Sequence, residues 1–212
     1  MSQDKSVKIS GVILCIILAF VLWTIMFWPV GGPLVNFWAM MTFSALTLTA
    51  LATVVQPRWW TAVRFTPANI IFGVLIATAL WIAFWIGDKV SQLLFDFSRA
   101  QVNDIYGIKG DTPSWLLSLL LLFIIGPAEE IFWRGCVQRR LSARYSPNIG
   151  FAATTLVYTL VHAGSLNFML IMSALVCGIA WGGLYRLFPS RFAAIILSHA
   201  IWDAAVFVWF PI

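Results

Sequence analysis

The sequence predicts an all-α, polytopic integral membrane protein, a helical bundle of about seven transmembrane helices, and three observations carry that expectation. Of its 212 residues, 61% are hydrophobic and only 10% charged, against about 25% charged in an ordinary soluble domain. The apolar residues gather into runs of the roughly 20 residues that a bilayer-spanning helix needs. The basic residues fall in the short breaks between those runs, with a strong bias to one side. Such runs occupy most of the chain, so a single membrane domain covering 1–212 is expected.

Taken in order, the expected spans are 9–28, 34–55, 68–87, 115–138, 148–163, 167–185 and 192–210. The first follows Lys5 and Lys8 and ends in Phe27, Trp28 and Pro29, without a small-residue cleavage pattern, so it reads as an uncleaved signal anchor. With the N-terminus inside, the inner segments hold Lys5, Lys8, Arg58, Arg64, Arg139, Arg140, Arg144, Arg186 and Arg191, and the outer ones only Lys89, Arg99 and Lys109. The positive-inside rule therefore predicts N-terminus inside and C-terminus outside. The same bias accounts for the net charge of +5 without a nucleic-acid partner; the expected partner is membrane lipid. Segment 88–114 is the long outer loop. Val90, Leu93, Leu94, Phe97 and Ile105 recur there at near-helical spacing, which suits either an interfacial helix or a two-turn extension of the third span. Cys15, Cys136 and Cys177 lie in apolar segments without metal-ligand spacing and read as small buried hydrophobes.

The ionisable residues divide the chain. The first three spans contain none, so 1–87 reads as a three-helix scaffold half. The last four, in 115–212, contain Glu129, Glu130, Arg134, His162, His199 and Asp203, including both histidines of the chain. A charged side chain at mid-membrane costs roughly 2.5–3.5 kcal/mol on insertion scales, so these groups are expected to meet each other or water in a site between helices. A polar cluster that only holds helices together is the alternative.

Spacing assigns partners. Gly126-Pro127 can break or kink the fourth span and restart it just before the carboxylates. Glu130 and Arg134 stand four apart and form a neutralising pair on one face. Glu129, rotated by about 100°, faces elsewhere and is free to act as a general base toward a cavity. His199 and Asp203 are also four apart, so a carboxyl group can orient the imidazole. At 1.5 Å per residue, Glu129 lies about 15 Å from Arg139 and His199 about 12 Å from Arg191, in the inner half of the bilayer. His162, about 22 Å from Pro147, fits that level only on a tilted or later-starting helix. A three-ligand zinc site from His162, His199 and Glu129 is a minority alternative, because no His-Glu-x-x-His pattern occurs. No serine or cysteine stands in a nucleophile motif such as Gly-x-Ser-x-Gly.

Three motifs in order resemble the CAAX protease and bacteriocin-processing (Abi) family, which includes the Ras-converting endopeptidase. They are Glu129-Glu130 with Arg134, flanked by Pro127 and Gly135; Tyr158 with His162, Tyr standing where Phe is usual; and His199 with Asp203. The resemblance spans about residues 115–205. It implies an intramembrane glutamate endopeptidase that needs no metal cofactor, acting on a membrane-associated or prenylated peptide or protein, and makes 115–212 the catalytic half. By that analogy Glu129 is the general base, His162 orients the water, and His199 with Asp203 serves the oxyanion. Glu130, Arg134 and Tyr158 are supporting residues. An ionised Asp203 cannot donate as Asn would, so it is expected to orient His199 or to be protonated. The alternatives from other classes are a non-catalytic membrane adaptor or bacteriocin-immunity-type protein that uses the same polar cluster for packing, and a transporter or proton relay. The expected location is a bacterial plasma membrane, with the site opening toward the cytoplasm.

Overall fold

The computed structural model describes residues 9–29 and 35–212. Lys5, Lys8 and the start expected for the second span lie outside the described residues. Eight helices make up the fold: α1 Ile9–Phe27, α2 Phe37–Val55, α3 Pro67–Leu94, α4 Ser98–Gly107, α5 Ser114–Arg144, α6 Pro147–Val161, α7 Phe168–Leu187 and α8 Pro189–Trp209. Among the described residues there is no strand. Six of the helices, α1, α2, α3, α5, α7 and α8, are long and apolar enough to cross a bilayer. The chain is a multi-pass membrane protein. The expected fifth span is α6, which at 15 residues is about 22 Å long, short of the hydrocarbon thickness of about 30 Å.

Local chemistry explains where helices begin. Asn36, Thr66, Ser146 and Asn167 each accept a hydrogen bond from the backbone N–H three residues on, at 2.9, 3.2, 3.2 and 2.9 Å, satisfying a donor that a helix start otherwise leaves bare. Pro67 and Pro147 follow two of these caps at the first helical position, where a missing N–H costs nothing.

Two expectations change here. The third span runs seven residues past 87 because no helix breaker precedes Phe95, so 88–94 is an extension of α3 and only Ser98–Gly107 forms a separate helix. That helix is bound down onto the bundle. The Gln101 side chain accepts from the backbone N–H of Met169 at 3.1 Å, Asn167 donates to the Gln101 carbonyl at 2.9 Å, and Trp38 donates to the Ile108 carbonyl at 3.1 Å. Second, Gly126-Pro127 does not break α5. The helix widens into π-type turns over Leu121–Ile125 and again over Ile131–Gln138, with Gly126 N–H donating to the Leu121 carbonyl. Wide turns absorb the donor that proline lacks without ending the helix, and they are frequent at functional sites.

Helix α8 is the centre of the bundle. From Phe192 to Ala204 nearly every residue is buried, against α3 on one side and α5 on the other. Gly126 permits the closest approach: a Cβ there would meet the Ala200 Cα at 2.7 Å. Helix α3 covers the outside, turning Ile70, Ile71, Phe72, Leu75, Ile82, Trp85 and Ile86 outward, where lipid is the solvent.

Candidate active site

The structure brings the predicted polar residues of α5, the α6 terminus and α8 into one region. Glu130 is fully buried, and its Oε1 accepts from Arg134 Nη1 and from His199 Nδ1, both at 2.7 Å. The expected Glu130–Arg134 pair is therefore present, and its carboxylate holds His199 as well. Arg134 lies between aromatic faces, 4.9 Å from the Tyr158 ring centre and 5.7 Å from that of Trp181, and donates to the Cys177 carbonyl at 3.4 Å. Such contacts let a guanidinium stay charged away from water.

His199 stacks on Trp181, with ring centres 3.8 Å apart and planes at 17°. Its Nε2 lies 3.5 Å from Asp203 Oδ2. Asp203 was expected to be the carboxylate that orients this ring; Glu130, on the other nitrogen and 0.8 Å closer, holds it more tightly. The reason is the packing of α8 on α5, which no spacing within α8 reveals.

His162 caps α6. Its Nδ1 bonds the Tyr158 carbonyl at 2.8 Å and its Nε2 accepts from Trp23 Nε1 at 3.3 Å. A carbonyl only accepts and an indole N–H only donates, so the ring carries its proton on Nδ1. Helix α6 begins at Pro147, so the later helix start offered for the depth of His162 is not found. The turn after His162, Ala163–Ser165, is half-buried against α1, and two residues on Asn167 donates to the Gln101 carbonyl of α4. Irregular backbone at membrane depth is tolerated where protein covers it.

Glu129, Tyr158, His162, His199 and Asp203 border one cavity of about 470 Å³. Glu130 and Arg134 do not border it, so the adjacent carboxylates occupy different surroundings, as helix rotation predicts. Glu129 is buried, and its Oε2 has no hydrogen-bond partner. The other walls are almost wholly apolar, among them Phe27, Phe84, Leu121, Ile125, Met172 and Phe207.

Every helix contributes to this cavity from the same end: the last turns of α1, α3 and α6, the first turns of α2 and α7, the first half of α5 and the second half of α8, with α4 across them. This end carries segment 88–114, which the charge count puts outside. The expected cytoplasmic opening and the expected C-out orientation therefore do not fit together. Counting residues from the basic flanks measures depth but leaves open on which side of the carboxylates the empty space lies.

Among the described residues, no three His, Cys, Asp or Glu side chains are gathered to hold a metal ion. Cys15, Cys136 and Cys177 are free thiols and buried. Trp23 and Trp181 were not among the sequence candidates. Tryptophan in an apolar span reads as packing, and nothing in their spacing announces a histidine partner.

The chain matches the family described as Rce1-like, type II CAAX prenyl endopeptidase Rce1-like, over residues 111–205. Over these residues the chain is similar to the CAAX protease family. The match begins three residues before α5 and ends two residues after Asp203, so it contains all the polar residues described above and excludes α1–α4. No curated protein matches the chain, and no solved structure does.

Proposed function

We propose that this protein is an intramembrane endopeptidase that hydrolyses a peptide bond of a lipidated, membrane-held peptide or protein with a water activated by Glu129. The observation that supports this best is the shared cavity: Glu129, His162, His199 and Asp203 border it, and most of the remaining wall is apolar. Glu129 borders the cavity, and its Oε2 is buried without a hydrogen-bond partner, which suits Glu129 to be the general base. His162 directs that water through Nε2. The hydroxide attacks the carbonyl carbon, and the tetrahedral oxyanion accepts a hydrogen bond from Nε2–H of a doubly protonated His199, whose Nδ1–H is held by Glu130 so that Nε2 is turned toward Asp203 and the cavity. The C–N bond then breaks as the leaving amine takes the proton from Glu129. No step needs a metal.

The substrate's apolar chain has a route from lipid. Val90 and Leu94 of α3 and Phe168 and Val176 of α7 both border the cavity and are exposed on the outer surface, so the space reaches the bilayer between these two helices. With the N-terminus inside, its mouth opens on the extracytoplasmic side. In intact cells, Lys109→Cys is then expected to react with a membrane-impermeant maleimide and Arg144→Cys is not; the reverse pattern puts the mouth in the cytoplasm.

The deciding experiment is cleavage of a quenched fluorescent prenylated peptide in proteoliposomes. Glu129→Gln is expected to insert normally and to cleave nothing, and EDTA is expected to leave the unaltered protein active. Cleavage retained by Glu129→Gln rejects Glu129 as the base, and an unaltered protein that cleaves nothing while Glu129→Gln leaves its cellular phenotype intact favours the adaptor reading. Activity lost to chelation and restored by zinc rejects the metal-free mechanism.

A further inference from the structure

We propose that Trp23, on the first transmembrane helix, is a positioning residue that holds His162 in its neutral Nδ1–H form with Nε2 kept as an acceptor. The proposal rests on the role given to His162 above and adds a residue from outside the family match of 111–205. Trp23 is 1% exposed. Its indole N–H reaches His162 Nε2 at 3.3 Å, with the two rings nearly perpendicular at 80°. Phe27, one helical turn on, meets the same imidazole with ring centres 5.6 Å apart. Trp23 also borders the packing gap beside Glu129, formed with Ala45, Leu48, Ala128, Phe132 and Trp133, so one indole stands against both residues that are to manage the water.

Hydrogen-bond roles define what this contact does. The Tyr158 carbonyl requires a proton on Nδ1, and the Trp23 N–H requires a lone pair on Nε2. A doubly protonated ring would set its second N–H against the indole N–H, so the indole selects the neutral ring, while the Tyr158 carbonyl determines that Nδ1 is the nitrogen that keeps its proton. At 3.3 Å the bond is longer than the usual 2.9–3.0 Å, which leaves a water held by Glu129 able to share or take the Nε2 lone pair once substrate is seated. A phenylalanine at 23 would fill the space but supply no donor.

The test replaces Trp23 with β-(3-benzothienyl)alanine, which keeps the bicyclic shape and puts sulfur in place of the N–H. Ring-15N histidine labelling reads the two histidines of the chain separately, with a His199→Asn sample for assignment. The expected result is a kcat lower by about tenfold for the prenylated peptide, the size of one neutral hydrogen bond, with KM within about twofold. The His162 Nε2 resonance is expected to move toward that of a protonated nitrogen. Trp23→Phe is expected to reproduce both changes, and restoring Trp to reverse them. An unmoved Nε2 resonance, or an unchanged kcat, overturns the proposal provided Glu129→Gln is inactive. If Glu129→Gln cleaves like the unaltered protein, the functional reading falls first, and the Nε2 resonance alone then decides whether Trp23 holds the ring.

Discussion

Helices α3 and α8 are both apolar enough to cross a bilayer, yet they bury their residues to different degrees. In the most hydrophobic stretch of α3 only 17% of residues are buried, against 61% in α8. The difference comes from what each helix carries. Helix α8 presents Ala193, Ala194, Ala200 and Ala204 alongside Ser198 and His199, small or polar residues that let neighbouring backbones approach and that lipid would not solvate. Helix α3 presents Ile, Phe, Leu and Trp on most of its surface, which acyl chains solvate well. The first half is nonetheless more than a lipid-facing scaffold. Through Trp23, Phe27, Trp38 and Phe84 it supplies walls of the cavity, and through Trp23 it touches His162 directly.

Substitutions in the two halves sharpen this contrast when unfolding is followed in detergent or bilayer mimetics. The largest loss is expected for Glu130→Ala, which leaves Arg134 buried without its carboxylate and frees His199; breaking a buried ion pair from one side costs about 3–5 kcal/mol. Glu130→Gln is expected to lose less, because it keeps an acceptor for both donors. Gly126→Ala comes next. Its Cβ would press on the backbone of α8 at 2.7 Å, and overpacking of this kind costs about 1–3 kcal/mol. Trp38→Phe removes the donor to the Ile108 carbonyl, worth about 0.5–1.5 kcal/mol, and is expected to raise amide exchange in α4 selectively. Ile71→Ala on the lipid face of α3 is expected to change stability by less than about 0.5 kcal/mol. A loss at Ile71 equal to that at Gly126 would erase the distinction between the halves.

Much of the bundle was legible from the chain alone, for reasons that are local. Hydropathy finds a helix that must satisfy its own backbone in lipid, so the runs beginning near Ile9, Pro67, Ser114 and Phe168 appear where expected, within a few residues. The exceptions lie where a cap or the lack of a breaker decides the boundary: α3 continues to Leu94 because nothing before Phe95 stops it. The Glu130–Arg134 pair was equally legible, since residues four apart on a helix are neighbours whatever the rest of the chain does.

What the sequence determined by itself is the all-helical membrane class, the approximate spans, the concentration of ionisable groups in the second half, and the partners one turn apart. Only the tertiary structure decided that Glu130 bonds His199, 69 residues away, and that Trp23 bonds His162, 139 residues away. It also decided that the cavity lies toward segment 88–114. Helical periodicity determines which side chains share a face. Which faces meet depends on how closely backbones can approach at residues such as Gly126 and Ala200, and an apolar run carries almost no record of that.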